Sequence, residues 1–204
     1  MSDARRQILA ALRAHADRAP PRRSGPPPRP AVAGDLVEAF AQRLAAVAGQ
    51  SSLLPGIAVL GPAVADYLTR HELGNEIVVA PHPLLDRVAW PAHLVVHCRA
   101  AAGTDRVALT VAFAGVAETG SLVMVSGAET PTTLNFLPEH CLVVLDRARL
   151  VANLEDAWML LRGLGAFPPR AVNLVTGPSR TADVEQTIQL GAHGPRRLQV
   201  YLVP

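Results

Sequence analysis

At 204 residues, half of them hydrophobic and 18% charged, the chain has the composition of one globular domain with a well-buried core. All 19 basic residues are arginine, which excludes a Schiff-base lysine and a phosphate-loop lysine. Two cysteines, Cys98 and Cys141, are too few for a disulfide framework or for the four thiolates of an iron–sulfur cluster. Any such cluster must sit on a partner.

The net charge of +2 is unevenly placed. Residues 1–30 hold seven arginines against Asp3 and Asp17, a local charge of +5, which leaves residues 31–204 at −3. A mildly acidic body without aromatic–basic interleaving argues against nucleic acid as a partner. No apolar run approaches the roughly 18–20 residues that span a bilayer, and the first residues lack the apolar block of a secretory leader. A cytoplasmic protein with no membrane span is expected.

The pattern divides the chain into an N-terminal helix (1–18), a Pro-rich linker (19–34) and an α/β domain (35–204). Residues 3–17 place Ile8, Leu9 and Leu12 on one side of a short amphipathic helix. Six of the 18 prolines fall in residues 19–34, a stretch that cannot form a helix or a central strand. The tethered helix suits packing on a neighbouring subunit, so a homo-oligomer is one expectation; a frayed tail fits the same letters.

In the domain, Leu36, Phe40, Leu44 and Val47 mark a helix over 35–48. GIAVL (56–60) predicts a strand, followed by a helix to His71 and the strand EIVVA (76–80), one βαβ unit. LVVH (94–97), SLVMV (121–125) and CLVVL (141–145) read as strands. Residues 106–118 are mixed, and Thr133–Leu137 is a short helical turn. NLEDAWMLLRGLG (153–165) predicts a helix capped by Asn153 and stopped at Gly165. AVNLVT (171–176) reads as a strand, TADVEQTIQLG (181–191) as a helix and LQVYLV (198–203) as a closing strand. Strands that are apolar at consecutive positions and rotate with helices imply a mostly parallel sheet with helices on both faces.

The chemistry is concentrated in two places. After the strand ending at Thr176 the chain turns at Gly177-Pro178, and a helix starting near Ser179 or Thr181 would offer free N–H groups to an anion at the carboxyl edge of the sheet. Ser179 and Thr181 add hydroxyls and Arg180 a cation. The same letters fit a plain N-cap, with Asp183 favouring the helix dipole. Gly191-Ala192-His193-Gly194-Pro195 then fixes a tight backbone around His193, which is either a proton carrier or a histidine bonding a helix-end carbonyl. The second place is Ala117-Glu118-Thr119-Gly120-Ser121, where Glu118 fits a base, a nucleophile or a hydrogen-bond acceptor, with Thr119 and Gly120 beside it as ligand contacts.

In order, AETGSLVMV, NFLPEHCLVVL and VNLVTGPSRTADVEQTIQLGAHGP resemble the lactate utilization protein C (LUD-domain) family over residues 105–203, the last block most specifically. Thr133 or Asn135 stands where that family has a basic or polar residue, and Phe136 replaces its first leucine. The resemblance implies a fold like the sugar-phosphate isomerase and CoA-transferase superfamily (NagB/RpiA/CoA-transferase-like). It also implies a part in oxidising L-lactate to pyruvate, alongside iron–sulfur partner subunits. The candidate catalytic residues are Glu118 and His193; the candidate ligand-binding residues are Thr119, Gly120, Gly177, Ser179, Arg180 and Thr181, holding a small anion. The letters suit an accessory subunit, a metabolite-sensing subunit, or an acyl- or phosphate-handling enzyme of that superfamily with Glu118 as nucleophile.

Other polar residues carry less. His82, His93, His97 and Cys98 lie within seventeen residues, but their spacing matches no known zinc pattern, and no metal is expected. Trp90 and Trp158 read as core or interface residues and Asp146 as a turn former. The absence of GxGxxG and G-x-S-x-G disfavours a stand-alone dehydrogenase or serine hydrolase.

Overall fold

The computed structural model describes residues 3–16, 29–165, 167–181, 189–191 and 193–204. Helix α1 (Asp3–Ala16) leaves Ile8, Leu9 and Leu12 exposed. Helix α2 (Leu36–Ala46) starts where the Asp35 carboxylate accepts the Val37 and Glu38 N–H groups at 2.9 and 3.0 Å, the usual remedy for unpaired first-turn donors. Its Phe40 and Leu44 are fully buried.

The remaining elements follow as β1 (Gln50–Leu53), α3 (Leu60–Arg70), β2 (Glu76–Val79), β3 (Val95–Cys98), β4 (Val107–Val111), β5 (Ala114–Val116), β6 (Ser121–Val125), α4 (Thr133–Phe136), β7 (His140–Asp146), β8 (Leu150–Val151), α5 (Leu154–Arg162), β9 (Val172–Val175), β10 (Arg180–Thr181), β11 (Gln189–Leu190) and β12 (Arg197–Val203).

Six strands in the order β1-β12-β7-β4-β2-β3 form a wholly parallel sheet. The alternation along β7 shows how it is sandwiched. Leu142 and Val144 join Leu60, Val64, Tyr67 and Leu68 of α3 on one face, while Cys141, Val143 and Leu145 join Phe40 and Leu44 of α2 on the other. A second sheet, β8-β5-β6-β9, shares the α2 face and contributes Leu122 and Met124 to that core. Its far side packs on Ala157 and Leu161 of α5. The fold is thus α/β, with helices on both faces of a parallel sheet and a small mixed sheet interposed on one side.

Three expectations are corrected. GIAVL is not a strand: Ile57–Val59 form one 3-10 turn leading into α3, and the strand is the preceding, polar Gln50–Leu53. A short apolar run does not by itself separate strand from helix, and β1 lies at a sheet edge where polar residues are tolerated. Consequently residues 56–80 are not a βαβ unit of neighbouring strands, because β12, β7 and β4 lie between β1 and β2. Helix α5 stops at Gly163, two residues before Gly165, where the Gly163 N–H reaches the Met159 and Leu160 carbonyls.

Candidate functional site

The two glycine loops singled out in the sequence meet against the end of α2. Gly120 and Gly177 both hold positive φ, +67° and +81°, a region that side chains with a Cβ rarely adopt. A Cβ on Gly120 would lie 2.5 Å from the Leu44 nitrogen, and one on Gly177 2.6 Å from the Val47 carbonyl oxygen. Hydroxyls tie the loops together: Thr119 Oγ1 is 2.7 Å from Ser121 Oγ, which is 2.5 Å from Thr176 Oγ1.

Beyond Thr176 the chain closes on itself. The Ser179 N–H donates to the Pro195 carbonyl at 2.8 Å, and the Gly191 N–H to the Ser179 carbonyl at 3.0 Å. Gly194 packs flat on Ser179, where a Cβ would come within 3.1 Å of Ser179 Cβ. Beside these bonds lies an open cavity of about 240 Å³ whose walls include Asn135, Cys141, Thr176, Gly177, Ser179 and His193.

Asn135 is 4% exposed, and its Oδ1 has no hydrogen-bond partner. A buried amide oxygen without a partner is costly unless something donates to it, which makes Asn135 the most informative wall residue. Cys141 is buried, and desolvation pushes its thiol up to about 12, so it presents a neutral S–H at neutral pH.

Of the eight candidate site residues, the cavity unites Gly177, Ser179 and His193. Thr119 is joined to it only through Ser121 and Thr176. Glu118 is committed elsewhere: its Oε1 accepts the Leu154 N–H at 3.1 Å and its Oε2 the Asn153 Nδ2 at 2.8 Å. It caps α5, a hydrogen-bond acceptor at a helix N-terminus.

The expected geometry of the turn is corrected in two respects. Arg180–Thr181 is a strand paired antiparallel with Gln189–Leu190, so no helix begins at Ser179 or Thr181 and none runs through 189–190. Residues 182–188 of the expected helix lie outside the described residues, as does Ala192. The Ser179 amide and carbonyl bonds to Pro195 and Gly191 draw the two arms into a ladder at this point. In addition, β9 belongs to the mixed sheet, paired with β6. The turn after it therefore lies beside Cys141 and Leu198, each the second residue of its parallel strand, at the amino edge of the large sheet.

At the carboxyl edge, His82, Ser126 and Thr130 line a cavity of about 400 Å³, but each spends a polar atom internally. His82 Nδ1 accepts the Leu84 N–H, Ser126 Oγ accepts the Ala171 N–H, and Thr130 Oγ1 donates to the Val125 carbonyl. His97 lies 3.9 Å from Glu76, and among the described residues no three metal-ligating side chains converge. Trp90 and Trp158 pack against the two outer cores, and Asp146 accepts the Ala148 N–H in a turn. Among the described residues no helix is long and apolar enough to cross a membrane.

Fold and site define an α/β protein with a parallel six-stranded sheet, a mixed sheet on one face and a small, mainly apolar cavity beside the Gly177 and Gly194 turns. The LUD domain family profile matches residues 47–203, and the chain belongs to this family. It is 30% identical to the uncharacterized protein YkgG of Escherichia coli K12 over 149 residues, 65% of this chain and 64% of that one. It is 27% identical to lactate utilization protein C of Geobacillus thermodenitrificans over 172 residues, 83% of this chain and 69% of that protein. The match to the protein of that name in Bacillus subtilis is 28% over 100 residues, 48% and 42% of the two chains. The chain spans less than two thirds of the length of two of these three relatives. A crystal structure of a DUF162 family protein from Deinococcus radiodurans has the same fold, with a TM-score of 0.62 at 17% identity over 83% of this chain and 96% of that one.

Proposed function

We propose that this LUD-domain chain is a cytoplasmic component of L-lactate oxidation to pyruvate that holds a small hydroxy or keto acid anion in the Asn135–Ser179–His193 cavity. The names of the relatives support the pathway, and the unpartnered buried Oδ1 of Asn135, a residue that lines the cavity, supports the ligand. A 2-hydroxy acid supplies a hydroxyl to donate to that oxygen and a carboxylate to accept from Ser179 and His193, with Arg180 and Thr181 following directly in the chain. Charge-assisted bonds of this kind are about twice as strong as neutral ones.

Redox chemistry then falls to iron–sulfur partner subunits. Cys98 is exposed at the end of an edge strand and Cys141 is buried in a central one, and two thiols cannot ligate a cluster. Glu118, occupied at the α5 cap, has no support as nucleophile or base, so the chain acts as a ligand-holding accessory component.

A thermal-shift series with L-lactate, pyruvate, phosphate, CoA and nucleotides tests this. L-lactate or pyruvate should raise the unfolding temperature, and Asn135→Leu should remove that rise while leaving the unliganded protein at least as stable. Replacing a buried unsatisfied amide by an apolar group costs little. No stabilisation by either acid, or equal stabilisation of the variant, would sink the proposal.

A further inference from the structure

The amino edge of the parallel sheet carries a second cavity, of about 750 Å³, which shares only Leu198 with the first. Gly49, Gln50, Glu139, His140, Arg196 and Arg197 are among its walls. The two arginines are set there by the backbone, because the Arg196 and Arg197 N–H groups both donate to the Glu139 carbonyl, at 2.8 and 3.1 Å. Register places Arg197 directly opposite His140 across β12 and β7.

The charge around this edge is one-sided. Arg197 and Arg106 act electrostatically on His140, and Arg70 stands 5.9 Å from the ring of Tyr67. Tyr67 hydrogen-bonds His140 Nδ1 at 2.9 Å, and the His71 ring lies 5.5 Å from that of His140. Glu139, just before β7, is the carboxylate that acts on His140. Among the described residues, none of Arg70, Arg106, Arg196 and Arg197 forms an ion pair. Of these arginines, Arg196 and Arg197 line the cavity itself, where Glu139 is the one carboxylate residue among the walls. Burial and the neighbouring His71 and Arg197 charges push His140 down to about 4, so it stays neutral and does not add to the repulsion at neutral pH.

The end of α2 also borders the cavity, and its partial negative charge would oppose an anion. That end is closed, since the Val47, Ala48 and Gly49 N–H groups take up the Leu44 and Ala45 carbonyls.

We infer that the Arg196–Arg197 cavity is a second ligand site, separate from the Asn135 pocket, and that it takes a phosphorylated small molecule. Guanidinium forks match phosphate oxygens two at a time. The volume falls in the range of small-molecule and cofactor sites and exceeds what a lone phosphate fills. This inference does not depend on the lactate reading.

Isothermal titration of the full chain with inorganic pyrophosphate, at fixed ionic strength, tests it. Binding should saturate, weaken at least tenfold in the Arg196→Gln/Arg197→Gln double variant and stay unchanged in Asn135→Leu. Citrate, a polyanion without phosphoryl groups, should bind at least tenfold more weakly. In the unaltered protein, amide NMR shifts on adding pyrophosphate should centre on Gly49, Gln50, His140 and Arg197, a readout independent of whether the variant folds. Absence of saturation, unchanged affinity in a folded double variant, citrate binding of equal strength, or shifts centred elsewhere would each overturn the assignment.

Discussion

Replacing Glu118 by alanine separates a capping role from a role at the ligand. The substitution removes the acceptor of the Leu154 N–H and one partner of Asn153 Nδ2. Asn153 Nδ2 keeps the Pro30 carbonyl at 2.8 Å, and Asp156 still accepts the Asn153 N–H at 3.3 Å. One first-turn donor is therefore orphaned, at a cost of about 1–2 kcal/mol by analogy with lost helix caps. The missing charge at the helix N-terminus adds about 0.3–1 kcal/mol. For a protein of this size each kcal/mol lowers Tm by roughly 2–4 °C, so calorimetry should show a drop of about 3–12 °C. Glu118→Gln, which keeps an oxygen acceptor but not the charge, should lose roughly half as much. Binding of lactate or pyruvate, measured well below both transitions, should survive in each variant. An unchanged Tm with binding abolished would refute the capping account and return Glu118 to the ligand site.

Two further outcomes follow from the same geometry. Gly177→Ala forces a Cβ to within 2.6 Å of the Val47 carbonyl at a φ of +81°, and should destabilise the chain by about 1–3 kcal/mol in urea unfolding; a loss under 0.5 kcal/mol would contradict the packing of that loop on α2. His140, held neutral down to about pH 4 in the fold against 6.5 for an unconstrained histidine, makes a contribution that is fully present above pH 6.5. It falls as the pH drops from 6.5 to 4, because the unfolded chain takes the proton first. The loss should be on the order of 2 kcal/mol, and His140→Gln should flatten that part of the stability–pH curve; a curve equally steep in the variant would assign the acid sensitivity to other groups.

Much of the fold was legible because buried strands advertise themselves. CLVVL and the LVMV of SLVMV are apolar at consecutive positions, and both faces of β7 and β6 are covered. β1 has no such signal, because an edge strand with one free flank has no need of that pattern and Gln50, Ser51 and Ser52 are polar. GIAVL was read as a strand because Leu60, Val64 and Leu68 show their helical spacing only when the window extends past Gly61-Pro62.

Three of the eight candidate residues share a cavity, but their arrangement was not legible in the letters. Gly177, Ser179 and His193 do meet, since tight glycine turns leave few alternatives. The pairing of Arg180–Thr181 with Gln189–Leu190 depends on bonds from Ser179 to Gly191 and Pro195, contacts between arms separated in sequence that helical periodicity cannot reveal. The family resemblance marks Thr133 or Asn135 as a position of interest without choosing between them; burial and an unpartnered oxygen in the folded chain single out Asn135.

The proposed role in lactate oxidation through the Asn135–Ser179–His193 cavity is tested most directly by conversion of L-lactate to pyruvate in the host carrying a clean deletion, complemented with the unaltered gene or with Asn135→Leu expressed at the same level. Deletion should abolish the conversion, the unaltered gene should restore it, and Asn135→Leu should not. Normal conversion in the deletion strain, or full rescue by Asn135→Leu, would contradict the claim.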